Sequence, residues 1–251
     1  AMVQPTRSLY VIQHTDAEYL GHLEDHLEGR NIRFTYMRPH TADGKLPATV
    51  KFTDGMILLG GGPWGAAGTR NLPSLDDEIQ LVKQCMLEGA PVIGIGIGAQ
   101  VLALASGGSV EAAPLTFDVQ TAHRTDPDAL NGFLPEIYPM VTYMRDQPVA
   151  PPHGRVLSET EDGGHALFQV AENCFGFAGH PGIKLGMIED LIMEFDESPD
   201  DIGAGLDKFR AAQTELVDAL VPIMTGLIQL TGWMDRRHSE NMPQSRTNEG
   251  L

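Results

Sequence analysis

Pro91-Val-Ile-Gly-Ile-Gly-Ile-Gly-Ala-Gln100 is the stretch whose reading decides the fold. An apolar run from Pro91 to Ile95 ends in a cluster of glycines, and a helical pattern from Ala99 to Ser106 follows at once. A strand that turns abruptly into a helix is the geometry of a nucleophile elbow, which presents one side chain on a strained turn. The residue at the tip is expected to carry an attacking atom, and here it is Gly96. The stretch therefore has the frame of a hydrolytic site with no nucleophile at its centre. Glycine suits such a turn, because it accepts a positive φ without the clash a Cβ would cause.

Outward from the elbow, strands and helices alternate over the first ~110 residues, which predicts a parallel sheet with helices on its faces. Ser8-Leu-Tyr-Val-Ile-Gln13 reads as a buried strand. Ala17 to Gly29 reads as a helix with Leu20, Leu23 and Leu27 on one stripe. Ile32 to Met37 and Gly55 to Leu59 are further strands, and the second runs into Gly60-Gly61-Gly62. Leu75 to Glu88 is a helix. In such sheets ligands sit at the carboxyl ends of the strands. From Val110 to Val170 short strands alternate with turns, and Ala166–Val170 with Cys174–Phe177 reads as a hairpin joined by Ala171-Glu-Asn173. Ile183 to Phe195 is expected to be a helix.

Three segments carry a resemblance. Gly94-Ile-Gly-Ile-Gly-Ala-Gln100 resembles the G-x-C-x-G-x-Q elbow of the class I glutamine amidotransferases, most of all their stand-alone GMP-synthase-like branch. Leu58-Leu-Gly-Gly-Gly-Pro63 resembles the apolar-G-G-P oxyanion strand of that family. Phe175-Gly-Phe-Ala-Gly-His-Pro-Gly182 resembles its G-x-Q-F-H-P-E segment. Order and spacing agree over roughly Ser8 to Phe195. The resemblance implies a flavodoxin-like, mostly parallel α/β sheet flanked by helices, with an antiparallel flap. It implies His180 as the triad histidine and Gly61, Gly62 and Ile97 as backbone donors to an oxyanion. Gln100 then stands where the family's glutamine opens the helix and shapes the pocket, with an ordinary first-turn polar residue as the alternative.

The departures fall on the chemistry. Gly96 stands at the cysteine position and Gly182 at the glutamate position, so only His180 of a Cys-His-Glu triad remains. In such a triad the thiolate attacks, the histidine carries the proton and the carboxylate orients the ring. Where family members place a His-rich stretch this chain has Thr142-Tyr-Met-Arg-Asp146, which weakens glutamine as the ligand. Tyr143 and Arg145 could hold another carboxylate or a ring, or lie exposed in a loop. Three readings remain open at this point: a non-catalytic homologue that binds a partner enzyme or a small amide or carboxylate ligand, an amide hydrolase or glutaminase-type enzyme with altered chemistry, and an engineered inactive variant of an ordinary one.

Composition narrows the partners. The 251 residues carry a formal net charge of −17, which argues against nucleic acid and against anionic membranes. Hydrophobic content of 42% fits an ordinary globule. No signal peptide and no membrane-spanning run is expected, so the expected compartment is the cytoplasm. Ala1-Met2 reads as a remnant of expression before the native start. Cys85 and Cys174 give no disulfide framework and no zinc spacing, and Cys174 is expected at the far end of its strand from His180. No cofactor and no metal is expected. His14, His26, His123, His153 and His165 carry no ligand spacing and are assigned no role.

Residues 1–234 are expected to form one domain and 235–251 a loose polar tail. Leu206 to Leu220 and Ile223 to Trp233 read as an added amphipathic helical pair, split or bent at Pro222. That pair is expected to pack on the domain or against a second copy of the chain.

Overall fold

Apolar runs without alternation become the middle of a nine-stranded sheet, because strands covered on both faces have no side to give to water. A computed structural model of the chain describes residues 6–235. The strands are β1 (Arg7–Ile12), β2 (Ile32–Met37), β3 (Met56–Leu58), β4 (Val92–Ile95), β5 (Ser109–Glu111), β6 (Thr116–Arg124), β7 (Ile137–Met144), β8 (Gln147–Val149), β9 (Arg155–Glu159), β10 (His165–Ala171) and β11 (Cys174–Phe177). The large sheet runs β2-β1-β3-β4-β11-β10-β9-β6-β7, and β5 pairs β8 in a small sheet beside it. From β2 to β11 the strands are parallel, and from β11 through β7 each neighbour is antiparallel. Every residue of β3, β4 and β11 is buried. The fold is the expected mostly parallel α/β sheet with an antiparallel extension.

The helices are α1 (His22–Glu28), α2 (Leu75–Leu87), α3 (Ile97–Ala105), α4 (Leu185–Glu194) and α5 (Ile202–Thr231), with a short 3-10 turn at Ala129–Gly132. In α2, Leu75, Leu81, Val82 and Cys85 face the core, while Asp76, Asp77 and Glu78 occupy the first turn, where the helix dipole favours acids. The hairpin of β10 and β11 forms as the sequence predicts.

Three expectations are corrected. The first helix begins at His22, not Ala17. Gly21 precedes it with φ +61°, and residues 17–21 instead form an irregular segment laid against the sheet's carboxyl ends. The second correction is at Pro222. The C-terminal segment is one 30-residue helix that runs through the proline. A proline inside a helix costs about 3 kcal/mol in isolation. Here both flanks are anchored: Leu216 and Leu220 before it, and Ile223, Met224, Leu227 and Ile228 after it, are buried. They belong to clusters shared with β6, β7 and the 3-10 turn. By length and apolar composition α5 also reaches what a membrane span needs, contrary to the expectation that no segment does. Asp235 is the last described residue, and the tail expectation otherwise lies outside the described residues.

Candidate functional site

Register sets the site. Ile95 of β4 pairs with Phe177 of β11, and the Gly96 N–H donates to the Phe177 carbonyl at 2.9 Å. The chain then turns at Gly96 with φ +58° and ψ −119° and enters α3 at Ile97. Three residues past the end of β11 lies His180, so the elbow and the histidine are brought to the same end of two adjacent strands. Gly60, which follows β3, completes the group: Gly60, Gly96 and His180 line one cavity together with Glu18, Val141, Tyr143, Ile183 and Ile188. Only about 10 Å³ there is open to the centre of a water-sized sphere, at the lower limit for a single water.

Gly61, Gly62, Ile97, Gln100 and Gly182 do not line that cavity. A Cβ on Gly61 would lie 2.9 Å from the Ile97 side chain, so the oxyanion strand and the first turn of α3 are in contact. A Cβ on Gly62 would lie 3.1 Å from the Phe195 ring. Gln100 is fully buried, and its Nε2 donates to the Arg145 carbonyl at 2.8 Å while its Oε1 has no protein partner. Arg145 and Tyr143 are buried as well, so the plainer expectation of an exposed loop is corrected. Arg145 Nε donates to the Pro63 carbonyl at 2.8 Å and its guanidinium pairs with Glu197, which ties β7 to the oxyanion strand.

His180 is 5% exposed, and both of its ring nitrogens are occupied. Nε2 lies 2.7 Å from the Tyr19 carbonyl, which can only accept, so Nε2 carries the proton. Nδ1 accepts the Gly182 N–H at 3.0 Å. Burial lowers the His180 pKa to about 4, against the smaller opposing pull of its backbone partners. The imidazole is therefore neutral at physiological pH and held between two backbone groups.

Gly182 has no room for a side chain. A Cβ there would lie 2.9 Å from the Leu20 carbonyl oxygen and 3.0 Å from the Leu23 nitrogen. From the other side, a Cβ on Gly21 would overlap the Gly182 carbonyl, which accepts the His22 N–H at 2.8 Å. The two glycines let the 17–22 segment close against the His180 strand end.

Neither cysteine replaces the missing thiol. Cys174 opens β11, at the opposite end from His180, and burial pushes its thiol up to about 11. Burial pushes the Cys85 thiol on α2 up to about 12. A thiol acts through its thiolate, which both environments disfavour. Among the described residues no group of three or more His, Cys, Asp or Glu side chains is placed to hold a metal ion.

What the sequence reading missed is an acidic chain behind the oxyanion strand. Glu18 is buried in the 17–21 segment, its carboxylate against the Gly60 Cα, and burial raises its pKa to about 7 although His14 and the Gly60 amide pull it down. His14 is fully buried, with Nδ1 2.8 Å from the Leu59 carbonyl and Nε2 2.6 Å from Glu78 Oε1. Desolvation lowers the His14 pKa, but Glu78 and the Leu59 carbonyl outweigh it and the net shift is upward. Gln13 to Glu18 directly follows β1, at the sheet end where sites form. That position, with a histidine and a glutamate four residues apart, was the available signal.

The model of the class-I glutamine amidotransferase family matches residues 14–186, from His14 past Gly182. The chain belongs to that family. Its fold is also that of a glutamine amidotransferase from Methylobacillus flagellatus, with TM-score 0.78 at 20% identity over 93% of this chain and 97% of that one. A glutamine amidotransferase from Thermotoga maritima gives TM-score 0.76 at 19% identity, covering 90% of this chain and 98% of the other. A chain of the PurLQS structure from Thermotoga maritima gives 0.50 at 16% identity, over 74% and 97%. No curated protein matches the chain. In this amidotransferase fold, α5 lies outside the segment that the family model covers.

Proposed function

We propose that this chain is an amidotransferase-family protein that does not hydrolyse glutamine through a covalent thioester and that acts by binding, either a partner enzyme or a small ligand. The observation that carries this reading is the state of His180. A proton shuttle needs one ring nitrogen facing the nucleophile. Here one nitrogen donates to Tyr19 and the other accepts from Gly182, so neither is left for position 96. The packing at Gly182 supports a natural origin for the loss, because its neighbours Leu20, Gly21 and Leu23 are arranged around a residue without a side chain. Likeness to a chain of the PurLQS structure supports a partner as the thing bound.

The test is ammonia release from glutamine by the protein as it stands and by Gly96→Cys. Both are expected to stay at the level of the blank. Turnover by the restored variant at rates ordinary for enzymes would overturn the proposal in favour of an inactivated enzyme.

A second reading rests on Glu18. It is a carboxyl group near neutrality in a cavity that also holds Gly96 and Gly60, and such a group can move a proton to or from a water. If that were the working site, the native chain would hydrolyse a simple amide, and Glu18→Gln would abolish the turnover.

A further inference from the structure

Strand β7 separates two cavities. Its odd-numbered side chains Val141 and Tyr143 line the Gly96 cavity, and its even-numbered side chains line another on the opposite face. This is the expected outcome of period-two alternation. In the β6–β7 hairpin Thr116 lies opposite Met144 and Gln120 opposite Met140, and all four face the second pocket. Residues of the β8 strand and of the turn before β10 close its other side.

The geometry points to this second pocket as a binding site for a small amino alcohol, a compact cation that also carries a hydroxyl. Three observations carry it. First, Thr142 is only 7% exposed and lines the pocket, and its hydroxyl has no hydrogen-bond partner among the described residues. Its oxygen is not sealed from solvent but opens into the pocket, where it is free to bond whatever fills the space. Second, the charged side chains of the lining are Asp146 and Asp162, with no lysine or arginine among them. Asp146 accepts three backbone N–H groups, from Ala66, Ala67 and Ala113, at 3.0 to 3.1 Å. Asp162 stands at the rim, tied to Thr160, and its pKa is lowered by that bond. The field in the pocket therefore favours a cation and repels an anion. Third, His165 accepts the Ala150 N–H on Nδ1 at 3.0 Å, so its proton sits on Nε2 as a donor, and a ligand oxygen can take it.

Size fixes the rest. About 40 Å³ is open to the centre of a water-sized sphere, roughly the room of three waters. That admits a molecule of about four heavy atoms and excludes glutamine. Met140 and Met144 supply an apolar wall for its carbons. The site is independent of the reading given to Gly96 and His180, since no side chain of the elbow or the triad lines it.

The experiment is a titration of the full chain, followed by NMR shifts and calorimetry, with three probes: ethanolamine, ethylene glycol of the same size, and glycolate, larger by one heavy atom. Ethanolamine is expected to bind saturably and at least about tenfold tighter than ethylene glycol, a difference of one charge-assisted contact, and glycolate not at all. Thr142→Val keeps the shape of the wall and is expected to weaken ethanolamine about fivefold. Asp162→Asn, at the exposed rim, is expected to reduce the preference over ethylene glycol while leaving the glycol unchanged, and it serves if the threonine variant does not fold. Equal binding of ethanolamine and ethylene glycol, shifts that map away from β6 and β7, or no saturation of the native chain would overturn the assignment.

Discussion

The His180 imidazole is bound to the Tyr19 carbonyl at 2.7 Å, and through that bond the segment after β1 is fastened to the end of β11. Tyr19 contributes only backbone, so nothing in its side chain announces the role. The ring that a triad would use to move protons is here a clamp between two parts of the chain.

Removing the clamp should therefore cost stability. His180→Leu leaves the Tyr19 carbonyl and the Gly182 N–H buried without partners, and each such group costs about 1–3 kcal/mol. A loss of roughly 2–5 kcal/mol in urea unfolding is expected for the pair. A loss below half a kilocalorie would show that the ring bears no structural load.

The glycines opposite the clamp should be as intolerant. Gly21→Ala adds a methyl that overlaps the Gly182 carbonyl, at a residue with φ +61°. Gly182→Ala meets the Leu20 oxygen at 2.9 Å and the Leu23 nitrogen at 3.0 Å. Both backbones must move, so destabilisation of about 1–3 kcal/mol each is expected, larger at Gly21 where strain adds to overlap. Proteolysis within residues 17–22 should rise in parallel. Resistance equal to that of the native chain would count against close packing there.

Much of this was legible in the sequence and some was not. The elbow, the glycine strand and the His-Pro pair are local patterns, and each fixed its element because a strand ending in glycines leaves few alternatives. The start of α1 was misread because Leu20, Leu23 and Leu27 keep helical spacing although the helix begins only at His22. Leu20 is buried outside the helix, in the irregular segment. Pro222 was misread because tertiary burial of α5 on both sides outweighs a local penalty. Glu18 and His14 were passed over because their partners, Gly60 and Glu78, lie more than forty residues away in sequence.

Acid and base dependence should separate Glu18 from His180. The Glu18 pKa rises from 4.5 to about 7 on folding, so its contribution is full below pH 4.5 and is lost as pH rises through 7. The His180 pKa falls from 6.5 to about 4, so its contribution is full above pH 6.5 and is lost as pH falls toward 4. Each amounts to about 3 kcal/mol, and they oppose one another between pH 4.5 and 6.5. His14, whose pKa is raised, adds a loss above pH 6.5. Chemical denaturation between pH 4.5 and 6.5 should thus show a shallow native profile, a profile rising with pH over this window in Glu18→Gln, and one falling with pH in His180→Gln. Identical slopes in the two variants would refute the assignment.

A thiol placed at the elbow gives the sharpest measure of what the site can still do. In Gly96→Cys the Cβ would sit 3.1 Å from the Gly60 Cα, close enough that the oxyanion strand must yield by a few tenths of an ångström. The amino end of α3 would lower the thiol pKa. Burial in a nearly filled cavity and the Glu18 carboxyl on the same wall would raise it. His180, neutral and held by Tyr19 and Gly182, supplies no cation. The raising effects prevail, so alkylation by iodoacetamide is expected to climb only through about pH 8.5 and above, as for an unactivated cysteine. Combining it with Glu18→Gln removes the negative neighbour and should move that profile downward. Reaction already complete at pH 6 in the single variant would mean that the ring turns to meet the thiol, and that the clamp opens when a nucleophile is present.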